Sequence, residues 1–402
     1  MAIEAPVRNR VSATNEMQSI PLSLYVHFPW CVRKCPYCDF NSHAVRSEVP
    51  EDDYIAALIR DLDYELQSAP DVSPRRPLTS IFLGGGTPSL FSGHAIGALL
   101  DAVGARLMFA SDIEITLEAN PGTAEIRHLR NYRGAGVNRL SIGVQSLDDA
   151  HLRRLGRIHG RDEAISAFSQ ARAAGFGNIN LDLMYALPEQ TPDGAAGDLR
   201  AAIALAPEHL SYYQLTLEPN TEFSARPPPL PDEDTAWTMQ LAGQALLATH
   251  GYAQYEVSAY GQIGRQSRHN RNYWEFGDYL GIGAGAHSKR SQMTGETLHI
   301  VRRARHKHPR MFLTAAGSAA AIQEERNVVP AELPFEFTMN ALRLNEGFVF
   351  ADFERRTGLS AERLELPLAR ARQKGLIEEH ANGVRASTLG RAHLNALLHE
   401  FL

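Results

Sequence analysis

The chain has 402 residues, 44% hydrophobic and 21% charged, which is enough for a large core and more than one domain usually holds. Its formal net charge of −6 offers no basic surplus for phosphate backbones, so no nucleic-acid partner is expected. The opening residues carry no apolar signal segment and no run approaches eighteen apolar residues, so neither secretion nor a membrane span is expected; the expected location is the cytoplasm.

Residues 1–20 read as a flexible tail. A short strand is expected over 22–27. Pro50 then opens a helix with Glu51, Asp52 and Asp53 in its first turn, where acids suit the dipole, and Ile55, Leu58, Ile59, Leu62 and Leu66 form its apolar stripe. The alternation repeats, with strands expected over 80–83, 113–118, 139–143, 179–183 and 210–215. Helices are expected near 92–104, 123–133, 161–174, 193–206 and 232–250. Six βα units with long crossovers imply parallel strands, two units short of a closed barrel. The expected fold is α/β: a partial (β/α)6 barrel over 21–250.

Residues 226–231 (RPPPLP) are stiff and suit a connection within the sixth unit. An accessory segment, 251–330, has weak periodicity and is rich in Gly, Arg and His. Over 331–402 the pattern turns helical, with a stop at Gly375 and a hairpin signal around HANG at 380–383, as in a small winged-helix-like module. That module holds nine basic against ten acidic residues, which argues against DNA binding.

All three cysteines fall within eight residues, in the string CVRKCPYC after the first strand, as Cys31, Cys35 and Cys38. An odd, crowded set suits metal better than disulfides. Three soft thiolates in one loop can grip three corners of a cubane and leave one iron for an outside ligand. A zinc site completed by His27 or His43, or three unrelated thiols, are the alternatives.

The string YVHFPWCVRKCPYCDF at 25–40 resembles radical S-adenosylmethionine (SAM) enzymes. Within them it is similar to the branch of oxygen-independent coproporphyrinogen III oxidases and HemW-type heme chaperones, over about 21–402. The resemblance implies a radical SAM barrel and a [4Fe–4S] cluster on Cys31, Cys35 and Cys38, with SAM chelating the open iron. It also implies SAM contacts from GGGTP at 84–88, carried to Gly85, Gly86 and Thr87, from Glu118, Gln145 and Asp182, each at or just after a strand end, and from Arg157 in LGRIH at 155–159. Tyr25 and Tyr37 are expected to flank SAM. Alone, a glycine triplet is a turn, and each polar residue an ordinary strand end.

Two features depart from the oxidase pattern. Phe40 stands where the oxidases carry a fourth cysteine, and HNRNYW at 269–274 resembles the HNxxYW motif of the chaperones. The resemblance therefore implies a heme chaperone, with heme, heme-acceptor proteins at or near a membrane and an electron donor as partners. The runner-up is a radical enzyme acting on porphyrinogen propionates, and a third class is a cluster protein that senses redox state or SAM. No catalytic residue is assigned. His269 offers an imidazole to heme iron, and Asn270, Tyr273 and Trp274 line the expected heme site. The alternative is that His269 and Asn270 cap a turn while the rings fill core. His287 is a second candidate ligand. Arg302, Arg303, Arg305, Lys307 and Arg310, with no acid among residues 299–310, are available to propionates or a membrane surface; a solvated basic face is the plainer reading.

Overall fold

The computed structural model describes residues 20–45, 48–69, 76–122, 128–295, 297–380 and 382–402. The expected tail over 1–20 lies, except for Ile20, outside them, as does the start of the helix expected from 123.

Six strands carry the parallel repeat: β1 (Leu22–Phe28), β2 (Leu78–Gly85), β3 (Phe109–Ala119), β4 (Arg139–Gln145), β5 (Ile179–Tyr185) and β6 (His209–Gln214). Each pairs in parallel with the next. The helices of the six units are α1 (Glu51–Gln67), α2 (Gly93–Gly104), α3 (Leu129–Gly134), α4 (Arg161–Ala173), α5 (Pro192–Ala204) and α6 (Glu233–Thr249). Their starts follow from short polar side chains: Ser92, Thr191 and Asp232 each accept a backbone N–H of the first turn.

A strand buried on both faces usually reads as an unbroken apolar run. These alternate instead. Leu22, Leu24, Val26 and Phe28 belong to the apolar core under the helices. Ser23, Tyr25 and His27 point the other way by the pleat, and Ser23 Oγ meets Ser80 Oγ of β2 at 2.8 Å. Ser141 and Asp182 continue this polar lining, 3.0 Å apart on β4 and β5. The concave face of the sheet is therefore polar, with room for ligands.

Residues 251–330 extend this sheet at both edges. β7 (Ala253–Gln254) and β8 (Ala259–Gly261) add antiparallel strands beside β6. Helix α7 (Arg268–Trp274) then crosses beneath the strands, and β9 (Asp278–Ile282) pairs in parallel with β1, Leu22 opposite Asp278. β10 (His287–Thr294), β11 (Thr297–Arg305) and β12 (Ile322–Asn327) follow as an antiparallel meander. The sheet has twelve strands in the order β12-β11-β10-β9-β1-β2-β3-β4-β5-β6-β8-β7.

The basic run over 299–310 is mostly β11, interior to this sheet, and the solvated face expected there is corrected. Arg303 and Arg305 are buried against Glu65 of α1 at 2.7 and 2.5 Å, and Arg305 meets Asp61 at 2.8 Å. Arg302 pairs with Glu336 and donates to the Tyr279 hydroxyl. Only Lys307 and Arg310 of the five stay exposed. The sequence stripe of α1 showed its apolar positions; Asp61 and Glu65 share that buried face because these arginines meet them there.

The C-terminal module has its own apolar core, built around Phe337, Phe353 and Leu368. It combines helices α8 (Leu333–Ala341), α9 (Phe350–Thr357) and α10 (Glu365–Gln373) with the hairpin Ile377–His380 and Gly383–Ala386, as expected of a winged-helix-like unit.

Candidate functional site

The cysteine loop leaves β1 at the carboxyl end of the strands. Its neck is pinned by a two-residue parallel bridge, Trp30–Cys31 beside His43–Ala44. The amides of His43 and Val45 donate to the carbonyls of Pro29 and Cys31, each at 2.8 Å. The Cys38 amide donates to the Cys35 carbonyl at 3.1 Å, turning the second half of the loop back on the first. Asn41 fastens the far side, its Nδ2 donating to the carbonyls of Ala284 and Lys307 at 2.8 and 2.9 Å. All three cysteines line one cavity of about 550 Å³, and none is in a disulfide.

Gly85, Gly86, Thr87, Glu118, Gln145, Arg157, Asp182 and Tyr37 line the same cavity. The glycines are there because the backbone must pass close. Gly85 has φ +112°, and a Cβ would stand 2.5 Å from the His27 ring. A Cβ on Gly86 would stand 2.5 Å from the Trp30 carbonyl. Gln145 ends β4 with φ 70°, at a register shift between Gly143 and Gln145, and its Oε1 accepts from the Tyr213 hydroxyl at 2.8 Å. A non-glycine residue held in the left-handed region marks a place where position outweighs backbone comfort.

The electrostatics suit a cluster and a charged cofactor. Burial pushes the Cys31 and Cys38 thiols up, and hydrogen bonds from Thr87 to Cys31 and from the Phe40 backbone to Cys38 oppose it. Arg157 aims Nη1 at Cys35 Sγ, 3.4 Å away. Burial draws the Arg157 pKa down, but Tyr37 and Cys35 more than offset it, so the guanidinium stays charged. Its Nε is buried with no hydrogen-bond partner among the described residues, a donor left over for an anion. Glu118 is pushed up to about 8, first by burial and then by Asp182, while the Gly85 amide, 3.0 Å from its Oε2, draws it back. Asp182 is raised by burial too, against hydrogen bonds from Ser211, Asn180 and Ser141. Burial raises both carboxyls, and each gains from a cation brought beside it. Three soft thiols, a spare guanidinium N–H and two such acids fit a thiolate-held cluster with one open iron and a ligand bearing both a carboxylate and positive charge.

Other expected residues lie elsewhere. Tyr25 sits a layer deeper: its hydroxyl is 3.0 Å from His27 Nδ1, and its ring stacks on Phe82 and His269 with centroids 6.2 and 6.0 Å away. The HNxxYW residues form α7, which closes the opposite end of the barrel, so the heme slot expected there is not open in this structure. His269 is 4% exposed, stacked on Phe82 at 4.4 Å and edge-on to Tyr273 at 4.7 Å. Burial first, and then Arg139, pushes its pKa down to about 3. Ser267, rather than Asn270, caps the helix, accepting from the Asn270 amide, while Glu114 accepts from the amides of Arg268 and His269. Trp274 packs with Tyr255 and Leu344 and lies under the Arg343 guanidinium at 4.3 Å, a seat for the C-terminal module. His287 opens β10, exposed and outside the cavity lining.

The sequence reading passed over several wall and rim residues. Asn120 lies two positions after Glu118 and so on the same side of the pleat. Tyr213 continues the inward row of His209 and Ser211. That alternation is the signal that would have found both. Phe40, Val32 and Ile158 line the mouth, exposed at 59, 52 and 55%. Among the described residues no helix is long and apolar enough to cross a membrane.

Comparisons with known proteins bear on the family and the fold. Residues 25–201 match the Radical SAM superfamily model and residues 328–393 the HemN C-terminal domain. The chain is 50% identical over 382 residues to the heme chaperone HemW of Haemophilus influenzae, covering 95% of this chain and 98% of that protein. It is equally similar, with the same coverage, to the heme chaperone HemW of Escherichia coli. Coproporphyrinogen III oxidase (HemN) from Escherichia coli superposes with a TM-score of 0.78 at 25% identity, over 97% of this chain and 92% of that one.

Proposed function

The chain belongs to the HemW family of heme chaperones, and on that premise we propose that it binds heme and passes it to acceptor proteins in the cytoplasm or at a membrane. Its resident group is a [4Fe–4S] cluster on Cys31, Cys35 and Cys38. When bound, the cluster supplies one-electron chemistry and an open iron for the amine and carboxylate of SAM. A separate electron donor reduces it. Arg157 holds the SAM carboxylate, the Gly85–Gly86–Thr87 segment its amine, and Glu118, Gln145 and Asp182 the remaining polar edges, with Tyr37 at the wall. His269, Asn270, Tyr273 and Trp274 support the barrel floor in this reading, and heme is placed at the mouth.

The observation that carries the reading is the contrast between a polar cavity wall and an apolar rim. Phe40, Val32 and Ile158 stand exposed around the opening. Exposed apolar side chains gathered at one mouth gain free energy when a flat apolar ring covers them, at roughly 25 cal/mol per Å². A cofactor as polar as SAM has no need of them.

The test is heme titration of anaerobically reconstituted protein, followed by absorbance. The double variant Val32→Ser/Phe40→Ser is expected to bind heme at least about tenfold more weakly, about 1.4 kcal/mol, while retaining cluster iron. Unchanged uptake would remove the rim from the heme site. The similarity to the Escherichia coli oxidase favours one rival, a radical SAM oxidoreductase. Conversion of coproporphyrinogen III by the same sample, given SAM and a reductant, would establish the rival.

A further inference from the structure

Asn120 stands just beyond β3 on the cavity wall, where its amide spans two residues that each touch a cysteine. Its Nδ2 donates to Thr87 Oγ1 at 2.9 Å, and its Oδ1 accepts from Arg157 Nη2 at 2.6 Å. Arg157 Nη1 in turn reaches Cys35 Sγ at 3.4 Å, and the Thr87 hydroxyl faces Cys31, where it draws the thiol pKa down against burial. A path therefore runs Cys31–Thr87–Asn120–Arg157–Cys35, through four separate stretches of chain.

The direction of each bond matters. Arg157 has only donors, so the oxygen of the Asn120 amide must face it and the NH₂ must face Thr87. Thr87 Oγ1 accepts that N–H, and its single hydroxyl hydrogen is left for the Cys31 sulfur. Arg157 Nη2 is held between Asn120 and the Gly143 carbonyl, the latter at 2.8 Å, which aims Nη1 at Cys35. Thr87 is 2% exposed, so water is a poor substitute for its partner. An aspartate at 120 has no hydrogen for Thr87. The hydroxyl would turn to donate to that carboxylate and abandon Cys31.

Hydrogen bonds donated to ligating sulfurs withdraw negative charge and favour the reduced cluster. We propose that Asn120 is a positioning residue that sets the direction of the Thr87 and Arg157 hydrogen bonds to the Cys31 and Cys35 sulfurs, and thereby the potential at which the cluster accepts its electron. The inference rests on the three-cysteine cluster reading. It adds a determinant that touches neither cluster sulfur itself.

The experiment uses the full chain with its cluster reconstituted anaerobically. Iron and sulfide content is measured first, then the midpoint potential by redox-poised electron paramagnetic resonance. Asn120→Leu, close in size but without donor or acceptor, is expected to keep its cluster and shift the midpoint to more negative potential. SAM should be needed at about tenfold higher concentration to perturb the spectrum, because Arg157 is no longer held. Thr87→Val should shift the potential in the same direction, and the double variant should shift it by less than the sum, since Asn120 acts partly through Thr87. A full cluster at unchanged potential in Asn120→Leu overturns the proposal and leaves the cluster reading intact. If Asn120→Leu fails to hold the cluster, Asn120→Ser is titrated instead, under the same criterion. Full cluster iron in a single Cys→Ala variant would sink the underlying reading itself.

Discussion

The two ends of the barrel use similar residues to opposite effect. At the mouth, Tyr37, Arg157 and the three cysteines line an open cavity, and Arg157 Nε has no partner among the described residues. At the floor, Tyr25, His269 and Tyr273 are locked ring against ring. The difference follows from strand direction. Parallel strands bring all their carboxyl ends to one side, where loops are free to carry chemistry, while the other side must be closed by packing. A chemically suggestive motif therefore takes its role from the end at which the fold delivers it.

The largest expected effect is at the mouth. Replacing Cys31, Cys35 or Cys38 with alanine should remove essentially all cluster iron, because the chain has no other thiol to substitute. Iron and sulfide analysis after anaerobic reconstitution checks this. Retention of a full complement by any one variant would break the comparison at its stronger end.

At the floor, His269→Ala should cost stability rather than chemistry. Removing a ring packed between Phe82 and Tyr273 leaves a cavity worth about 3–5 kcal/mol, read as a lower midpoint in urea unfolding. Heme absorbance of the folded variant should match the parent. A changed heme spectrum at unchanged stability would return α7 to heme binding and erase the contrast between the two ends.

A smaller effect sharpens the electrostatics of the mouth. Glu118 is raised from its ordinary 4.5 to about 8, so the folded chain holds a proton that the unfolded chain releases. Its contribution is complete below about pH 4.5 and is lost as pH rises through about 8. Glu118→Gln should match the parent near pH 4 and exceed it by roughly 3 kcal/mol near pH 7, in SAM-free protein. Saturating SAM should narrow that gap, since a cation beside Glu118 favours its ionised form. Parallel pH profiles for the two proteins would show that Glu118 is not held neutral.

Much of this was legible locally. The spacing of Cys31, Cys35 and Cys38 implies one loop and one metal group, and the family resemblance carries Gly85, Glu118, Gln145, Arg157 and Asp182 to the site. They meet in one cavity because four of them lie between the middle and the carboxyl end of parallel strands and Arg157 in the connection after β4. Tyr25 shares the cysteine string, but it lies within β1 and its ring stays inside the barrel against Phe82 and His269. The HNxxYW string shows only side-chain types, whereas its place beneath the sheet depends on the chain returning to pair Asp278 with Leu22.

By itself the sequence determined the thiol triad, the parallel βα repeat, the helical C-terminal module with its hairpin, and the family. The first three rest on spacings of a few residues and on pleat or helix periodicity, which act along the chain; the family rests on the resemblance of the motif strings at 25–40 and 269–274. Only the tertiary structure decided that residues 251–330 complete the sheet at both edges and that Arg303 and Arg305 lie buried on α1. It alone decided that Asn120 bridges Thr87 and Arg157 beside the cysteine loop and that the floor is closed by His269. Arg305 and Asp61 are 244 positions apart, and Arg157 and Cys35 are 122 apart. No local pattern encodes such pairs: charges and rings look solvated or chemically free in sequence until a distant strand brings their partners and excludes the water.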